Sequence, residues 1–225
     1  MDIRNKKINF LGDSITEGHG CSDVEYCFAS RIARDYGAVC RNYGIGGTRI
    51  ARQRVPSAET KWDKDFCSRY DTMDPDADIV VVFGGTNDFG HGDARLGKPE
   101  DTDLYSFCGA LEYLYSGLAR RYPLSWIVVM TPLHRYDETW PVSPSGFTRT
   151  FPMTDYVEAI RKAAERYSFP VLDLYASSGL QPAVQEIGDR FFLDGLHPNT
   201  DGHLQLSEQV GSFLCSLPER RRLLR

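Results

Sequence analysis

Five short apolar runs punctuate the chain: Ile8 to Leu11, Ala38 to Asn42, Ile79 to Phe83, Trp126 to Met130 and Pro170 to Leu174. The third and fourth are apolar throughout, the pattern of strands buried on both faces of a parallel sheet. Helical periods lie between them. Ser22 and Glu25 form a candidate capping box ahead of Ile32, Ala33 and Tyr36, with Gly37 as the stop. Leu104, Phe107, Leu111, Leu114, Leu118 and Tyr122 recur every three or four residues until Pro123. A further helix opens at Thr154 and carries Val157, Ile160 and Ala164; the last opens near Asn199 to Asp201 and carries Leu206, Val210 and Phe213. Strands alternating with helices predict an α/β fold, a three-layer α/β/α, flavodoxin-like domain of about five parallel strands. Two segments fit neither period and read as ordered loops beside the strand ends, Gly90 to Asp101 and His134 to Pro152.

Composition narrows the class. The 225 residues suit one domain, expected over residues 1–217, followed by a basic tail over 218–225 that holds Arg220, Arg221, Arg222 and Arg225. Hydrophobic residues at 41% and charged residues at 25% exclude a disordered chain. A net charge of −5 gives nucleic acid or an anionic membrane no purchase, so neither is expected as a partner. No run approaches the ~20 apolar residues of a membrane helix, and the charged stretch Met1 to Lys7 does not read as a secretory signal. The six cysteines stand singly, without the clustering of a zinc site, and are expected as reduced thiols in a cytoplasmic protein.

Ligands of open α/β sheets bind at the carboxyl ends of the strands, so the residues after each run carry the candidate chemistry. Gly12-Asp13-Ser14-Ile15-Thr16 follows the first run and Asn42-Tyr43-Gly44-Ile45-Gly46-Gly47 the second. Gly84-Gly85-Thr86-Asn87-Asp88 follows the third, and Asp194-Gly195-Leu196-His197-Pro198 precedes the last helix. Each segment alone is a turn or a cap. Together they supply a hydroxyl, an imidazole, a carboxylate and hydrogen-bond donors, the parts of acyl transfer. A serine hydroxyl needs a base, for which His197 is the candidate, and Asp194 three residues earlier can fix its tautomer. The N–H groups of Ser14 and Gly47 and the amide of Asn87 are the candidate donors to an oxyanion.

These segments resemble the SGNH hydrolases, also called the GDSL lipase/acylhydrolase family, whose blocks run in the same order from residue 12 to residue 198. The resemblance implies a serine esterase with Ser14, His197 and Asp194 as triad and with Gly47 and Asn87 completing the oxyanion hole. Gly46 stands where many members carry Ser, which keeps Gly46 beside Gly47 as an alternative donor. Ile15 replaces the usual Leu. The family acts on short-chain esters, acetylated sugars, lysophospholipids and thioesters. A small soluble ester, with acetylated carbohydrate as the specific guess, is therefore the expected substrate and partner. No cofactor and no metal is expected, and the sequence leaves room for a homo-oligomer.

Several residues are expected near the substrate: Asp13, His91, His134, Tyr136 and Trp140, the last two as platforms for a sugar ring. His19 also borders the candidate pocket, whereas His203 reads as a packing residue and Asp13 equally well as a helix cap. The rival readings are a flavodoxin-like protein holding a phosphate on Ser14 and Thr16, a silent carbohydrate-binding relative, and a metal-dependent hydrolase using Asp13, Asp194 and His197. The Gly-x-Ser-x-Gly elbow is absent, because Thr16 takes its last position, and Gly44-x-Gly46-Gly47 does not complete a dinucleotide fingerprint.

Overall fold

Five strands, β1 (Lys7–Gly12), β2 (Val39–Gly44), β3 (Ile79–Phe83), β4 (Trp126–Met130) and β5 (Val171–Leu172), form one parallel sheet in the order β2-β1-β3-β4-β5 in the computed structural model, which describes residues 1–219. The expected basic tail therefore lies, from Arg220 onward, outside the described residues. β1 is an interior strand in register with both neighbours: Phe10 is paired with Asn42 on one side and Val81 on the other.

The alternation along each strand separates two apolar layers. Leu11, Val80, Val82, Ile127 and Val129 face α4 (Phe107–Arg121) and α5 (Met153–Arg166). Ile8, Phe10, Ile79, Val81, Phe83, Val128 and Met130 face α2 (Phe28–Tyr36) and α8 (Thr200–Ser216). The chain is thus three-layered α/β/α, as its patterning predicts. One polar residue interrupts the strand interior: Asn9 is buried, and its amide donates to Asp74 O at 2.8 Å.

The two longest helices start where side chains satisfy their first N–H groups. Ser106 Oγ accepts from Gly109 N at 3.2 Å ahead of α4, and Asn199 Oδ1 accepts from Asp201 N and Gly202 N at 3.0 Å ahead of α8. The expected capping box at Ser22 and Glu25 does not form. Asp23 instead caps a single 3-10 turn, Val24–Tyr26, and Ser22 is engaged with Thr200, so α2 starts only at Phe28. β5 is shorter than its apolar run because Asp173 accepts from Ala176 N and turns the chain into α6 (Leu174–Ser177). The short helices α1 (Ser14–Glu17), α3 (Thr86–His91) and α7 (Gln185–Phe191) complete the set. Among the described residues, no helix is long and apolar enough to cross a membrane.

Candidate active site

In this strand order, chain direction switches between β1 and β3, and the crevice beyond their carboxyl ends is where such sheets bind ligands. Ser14 opens α1 directly after β1, and Asn87 lies in α3 directly after β3. The Asp194–His197 loop arrives ahead of α8. Ser14 Oγ lies 2.9 Å from His197 Nε2, and His197 Nδ1 lies 2.8 Å from Asp194 Oδ2. An ionised carboxylate only accepts, so Nδ1 carries the proton and Nε2 is left to accept from the serine hydroxyl. Asp194 Oδ1 also accepts from the backbone N–H of His197 at 2.8 Å and of Leu196 at 3.0 Å. Partial burial opposes ionisation of Asp194, but the bonds from His197 and from the backbone outweigh it and hold this carboxyl well below its usual range.

Three candidate donors belong to residues that line the same cavity as the hydroxyl. Ser14 is the first residue of α1, where an N–H has no intrahelical acceptor. The Gly46 N–H is committed to Glu17 Oε2 at 2.9 Å, whereas among the described residues the Gly47 N–H donates to no protein atom. Gly47 has φ +76°, and a Cβ there would come within 2.1 Å of the Trp62 indole, so both backbone conformation and close packing require glycine. Asn87 Nδ2 donates to Thr48 O at 3.0 Å and has a second hydrogen to offer.

These groups line a cavity of about 480 Å³ together with Glu17, His19, Lys61, Trp62, His91 and Tyr136. Of the expected pocket residues, His91 and Tyr136 therefore reach it. His134 is not part of the lining: its ring pairs with Glu138 at 2.9 Å and lies tilted against Tyr175, with centroids 3.9 Å apart. Trp140 is exposed and not part of the lining, but it packs edge-on against Tyr136 with centroids 5.0 Å apart. Asp13 is buried and accepts from Ile15 N at 3.1 Å, a cap rather than a substrate contact; burial raises its carboxyl to about 6. His203 is a packing residue whose Nδ1 accepts from Phe28 N at 3.2 Å, and burial lowers it to about 4.

The geometry also bears on the rival readings. Thr16 is fully buried, so its hydroxyl cannot reach a phosphate in the cavity. Asp13 does not join the metal-capable set. Among the described residues that set is His19, Asp194 and His197, whose ligand atoms lie within 4.8 Å of one another; the His19 ring stands edge-on to His197 at 4.3 Å.

The residues that hold these loops together are ones that sequence reasoning missed. Arg69 donates to Gly12 O at 2.6 Å, to Thr48 Oγ1 at 2.9 Å and to Tyr43 O, joining the loops after β1 and β2; burial lowers its guanidinium to about 10. Asp88 accepts from Ile50 N and Ala51 N, both at 2.9 Å, and so ties the Gly47 loop to α3; burial raises it to about 6. Arg135 and Arg149 both pair with buried Asp137, and Arg135 reaches Thr86 O at 3.1 Å. Tyr136 N donates to Gly195 O at 3.0 Å, which couples the 134–152 loop to the histidine loop. Little in the local sequence marks these arginines: Asp137 is two positions from Arg135, but the contacts of Arg69 with Gly12, of Arg135 with Thr86 and of Arg149 with Asp137 span 57, 49 and 12 positions.

The fold and site together define an α/β protein with a serine–histidine–aspartate line at the switch point of its sheet. The chain belongs to the GDSL-like lipase/acylhydrolase family, whose model matches residues 10–204. It is 20% identical over 221 residues to an acetylxylan esterase of Xylanibacter ruminicola; that alignment covers 92% of this chain and 43% of the relative, so the chain spans less than half of that protein. A solved structure from Lactobacillus plantarum is 29% identical with a TM-score of 0.81, covering 96% of this chain and all of the other. The lipase/acylhydrolase from Enterococcus faecalis, at 19% identity, TM-score 0.63 and coverage of 96% and 99%, shares the fold.

Proposed function

We propose that the chain is a serine esterase that cleaves short-chain carboxylic esters through an acyl-enzyme. The observation that carries this is the continuous hydrogen-bonded line from Ser14 Oγ through His197 to Asp194, at 2.9 and 2.8 Å, in a cavity that Gly47 and Asn87 also line. Ser14 Oγ attacks the ester carbonyl as His197 Nε2 takes its proton, and Asp194 stabilises the imidazolium. The carbonyl oxygen gains negative charge and is met by the N–H groups of Ser14 and Gly47 and by the Asn87 amide. His197 then gives the proton to the leaving alkoxide, the C–O bond breaks, and an acyl-Ser14 ester remains. Water, deprotonated by the same histidine, hydrolyses it and restores the hydroxyl.

Acetyl esters of carbohydrate alcohols are the substrate class we favour. Support comes from the acetylxylan esterase relative and from the exposed Tyr136–Trp140 pair at the cavity edge, whose faces suit a sugar ring. All six cysteines are free, which fits a reducing compartment such as the cytoplasm. The test is hydrolysis of p-nitrophenyl acetate and its longer homologues by wild type and Ser14→Ala, with and without EDTA. Turnover that needs Ser14, survives EDTA and falls with acyl length supports the reading. Turnover that persists in Ser14→Ala, or vanishes with EDTA, overturns it and favours a metal held by His19, Asp194 and His197.

A further inference from the structure

Behind Asn87 lies a second chain of hydrogen bonds that the triad does not use. His91 Nε2 is 3.2 Å from Asn87 Oδ1, and His91 Nδ1 is 3.1 Å from Arg49 Nη1. The two ends of this imidazole face groups of opposite kind. An amide oxygen only accepts, so Nε2 must carry the proton; a guanidinium only donates, so Nδ1 must be bare. One neutral tautomer satisfies both contacts. Burial, aided by the charges of Arg49 and Arg135, lowers His91 to about 4, so that tautomer persists through the neutral range.

We infer that His91, held by Arg49, is a positioning residue that fixes the Asn87 side chain with its amide nitrogen toward the oxyanion. This rests on the reading of Asn87 as an oxyanion donor. An asparagine amide has two ends of similar shape and opposite polarity. Turned over, it would present Oδ1 to a developing negative charge and repel it. Thr48 O holds one Nδ2 hydrogen at 3.0 Å, and the His91 N–H occupies Oδ1, so both ends of the amide are specified and the remaining hydrogen is directed to the substrate.

The support behind His91 is rigid. Arg49 is buried, donates a second bond to His91 O at 3.1 Å, and is anchored by Asp63 at 3.0 Å and by the Ser57 hydroxyl. The His91 ring has Trp62 and Phe147 as ring neighbours, with centroids 4.9 and 6.4 Å away. Trp62 is also the residue packed against Gly47, so one ring touches both that glycine and the histidine that holds Asn87.

The experiment is a double-mutant cycle on p-nitrophenyl acetate hydrolysis, with Tm recorded for every variant. His91→Phe keeps an aromatic ring and removes the donor; His91→Leu is a second donor-free variant should phenylalanine crowd Trp62. His91→Gln carries an N–H for Asn87 and an oxygen for Arg49. We expect His91→Phe to lower kcat about 5- to 20-fold with KM near wild type, the size of one oriented hydrogen bond. His91→Gln should recover most of kcat. In the Asn87→Ala background, His91→Phe should have no further effect, because His91 acts through that amide. Unchanged kcat in folded His91→Phe and His91→Leu, a loss confined to KM, or additive effects with Asn87→Ala would overturn the inference while leaving the oxyanion reading intact. Unchanged kcat in Asn87→Ala itself would overturn that reading, and this inference with it.

Discussion

At the scale of single residues, the atoms of Ser14, Asp194 and Asn87 make separable predictions. Ser14→Ala removes the nucleophile but no packing volume of consequence, so kcat should fall by roughly 10⁴-fold or more with Tm unchanged. Asp194→Asn keeps the shape of the carboxylate but offers an amide that need not accept from Nδ1, which frees His197 to take the wrong tautomer. A loss of kcat on the order of 10³–10⁴-fold is expected in steady-state assays. Because its bonds hold Asp194 well below the usual carboxylate range, the acid limb of the pH–rate profile should not report its protonation. Asn87→Ala should lower kcat by about 10²–10³-fold and leave KM nearly constant, the mark of an interaction made only in the transition state. A change confined to KM would remove Asn87 from the oxyanion. The residues of these predictions were legible in sequence because each sits in a local motif, after an apolar run for Ser14 and Asn87 and ahead of the last helix for Asp194. Trp62, Arg49 and Arg69 were not, since what makes them matter is proximity across 15 to 57 positions of chain, such as Arg69 to Gly12. His134 misled for the converse reason: it follows a strand, yet Glu138 and Tyr175 claim its ring.

At the scale of elements, the site depends on loops after β1, β2 and β3 being clamped, and the clamps titrate. Asp88 is buried at 3% exposure, accepts from two backbone N–H groups, and is raised from 3.8 to about 6. A carboxyl raised in the native state binds protons there before the unfolded chain does. Its contribution is fully present below about pH 4 and is lost as pH rises through about 6. The stability gap between wild type and Asp88→Asn should therefore widen on going from pH 7 to pH 4, by on the order of 2–3 kcal/mol. Urea unfolding of both proteins at several pH values measures this, and a gap constant with pH would mean that Asp88 does not titrate in that window. The elements themselves were mostly readable, because strand runs and helix periods are local consequences of burial. The start of α2 was not. Ser22 and Glu25 have the spacing of a capping box, but Thr200 engages Ser22 and Asp23 supplies the cap of an earlier turn. A tertiary partner decided between two locally equivalent caps.

At the scale of the whole molecule, the two apolar layers share their strands, and this bears on how the chain unfolds. Ile79, Val81 and Phe83 of β3 face α2 and α8, while Val80 and Val82 of the same strand face α4 and α5. Losing either helix layer exposes one side of a strand whose other side is still packed, so neither layer has a sheet of its own on which to persist. Residues 1–217 should therefore melt as one unit, as expected of a single domain. Phe28→Ala in one layer and Phe107→Ala in the other both delete a fully buried ring and should each cost about 3–5 kcal/mol. Each should lower the same Tm by roughly 10 °C, with helical circular dichroism and tryptophan fluorescence moving together. The two losses should add in the double variant, because the rings touch opposite faces of the sheet. If Phe28→Ala lowered the fluorescence transition but left a separate helical transition at the wild-type temperature, the layers would be independent, and the single-domain reading would fail. The cysteines give a second check on the same property. All six thiols are free, so cohesion comes from these layers and not from cross-links, and a reductant such as dithiothreitol should leave the common transition where it stands.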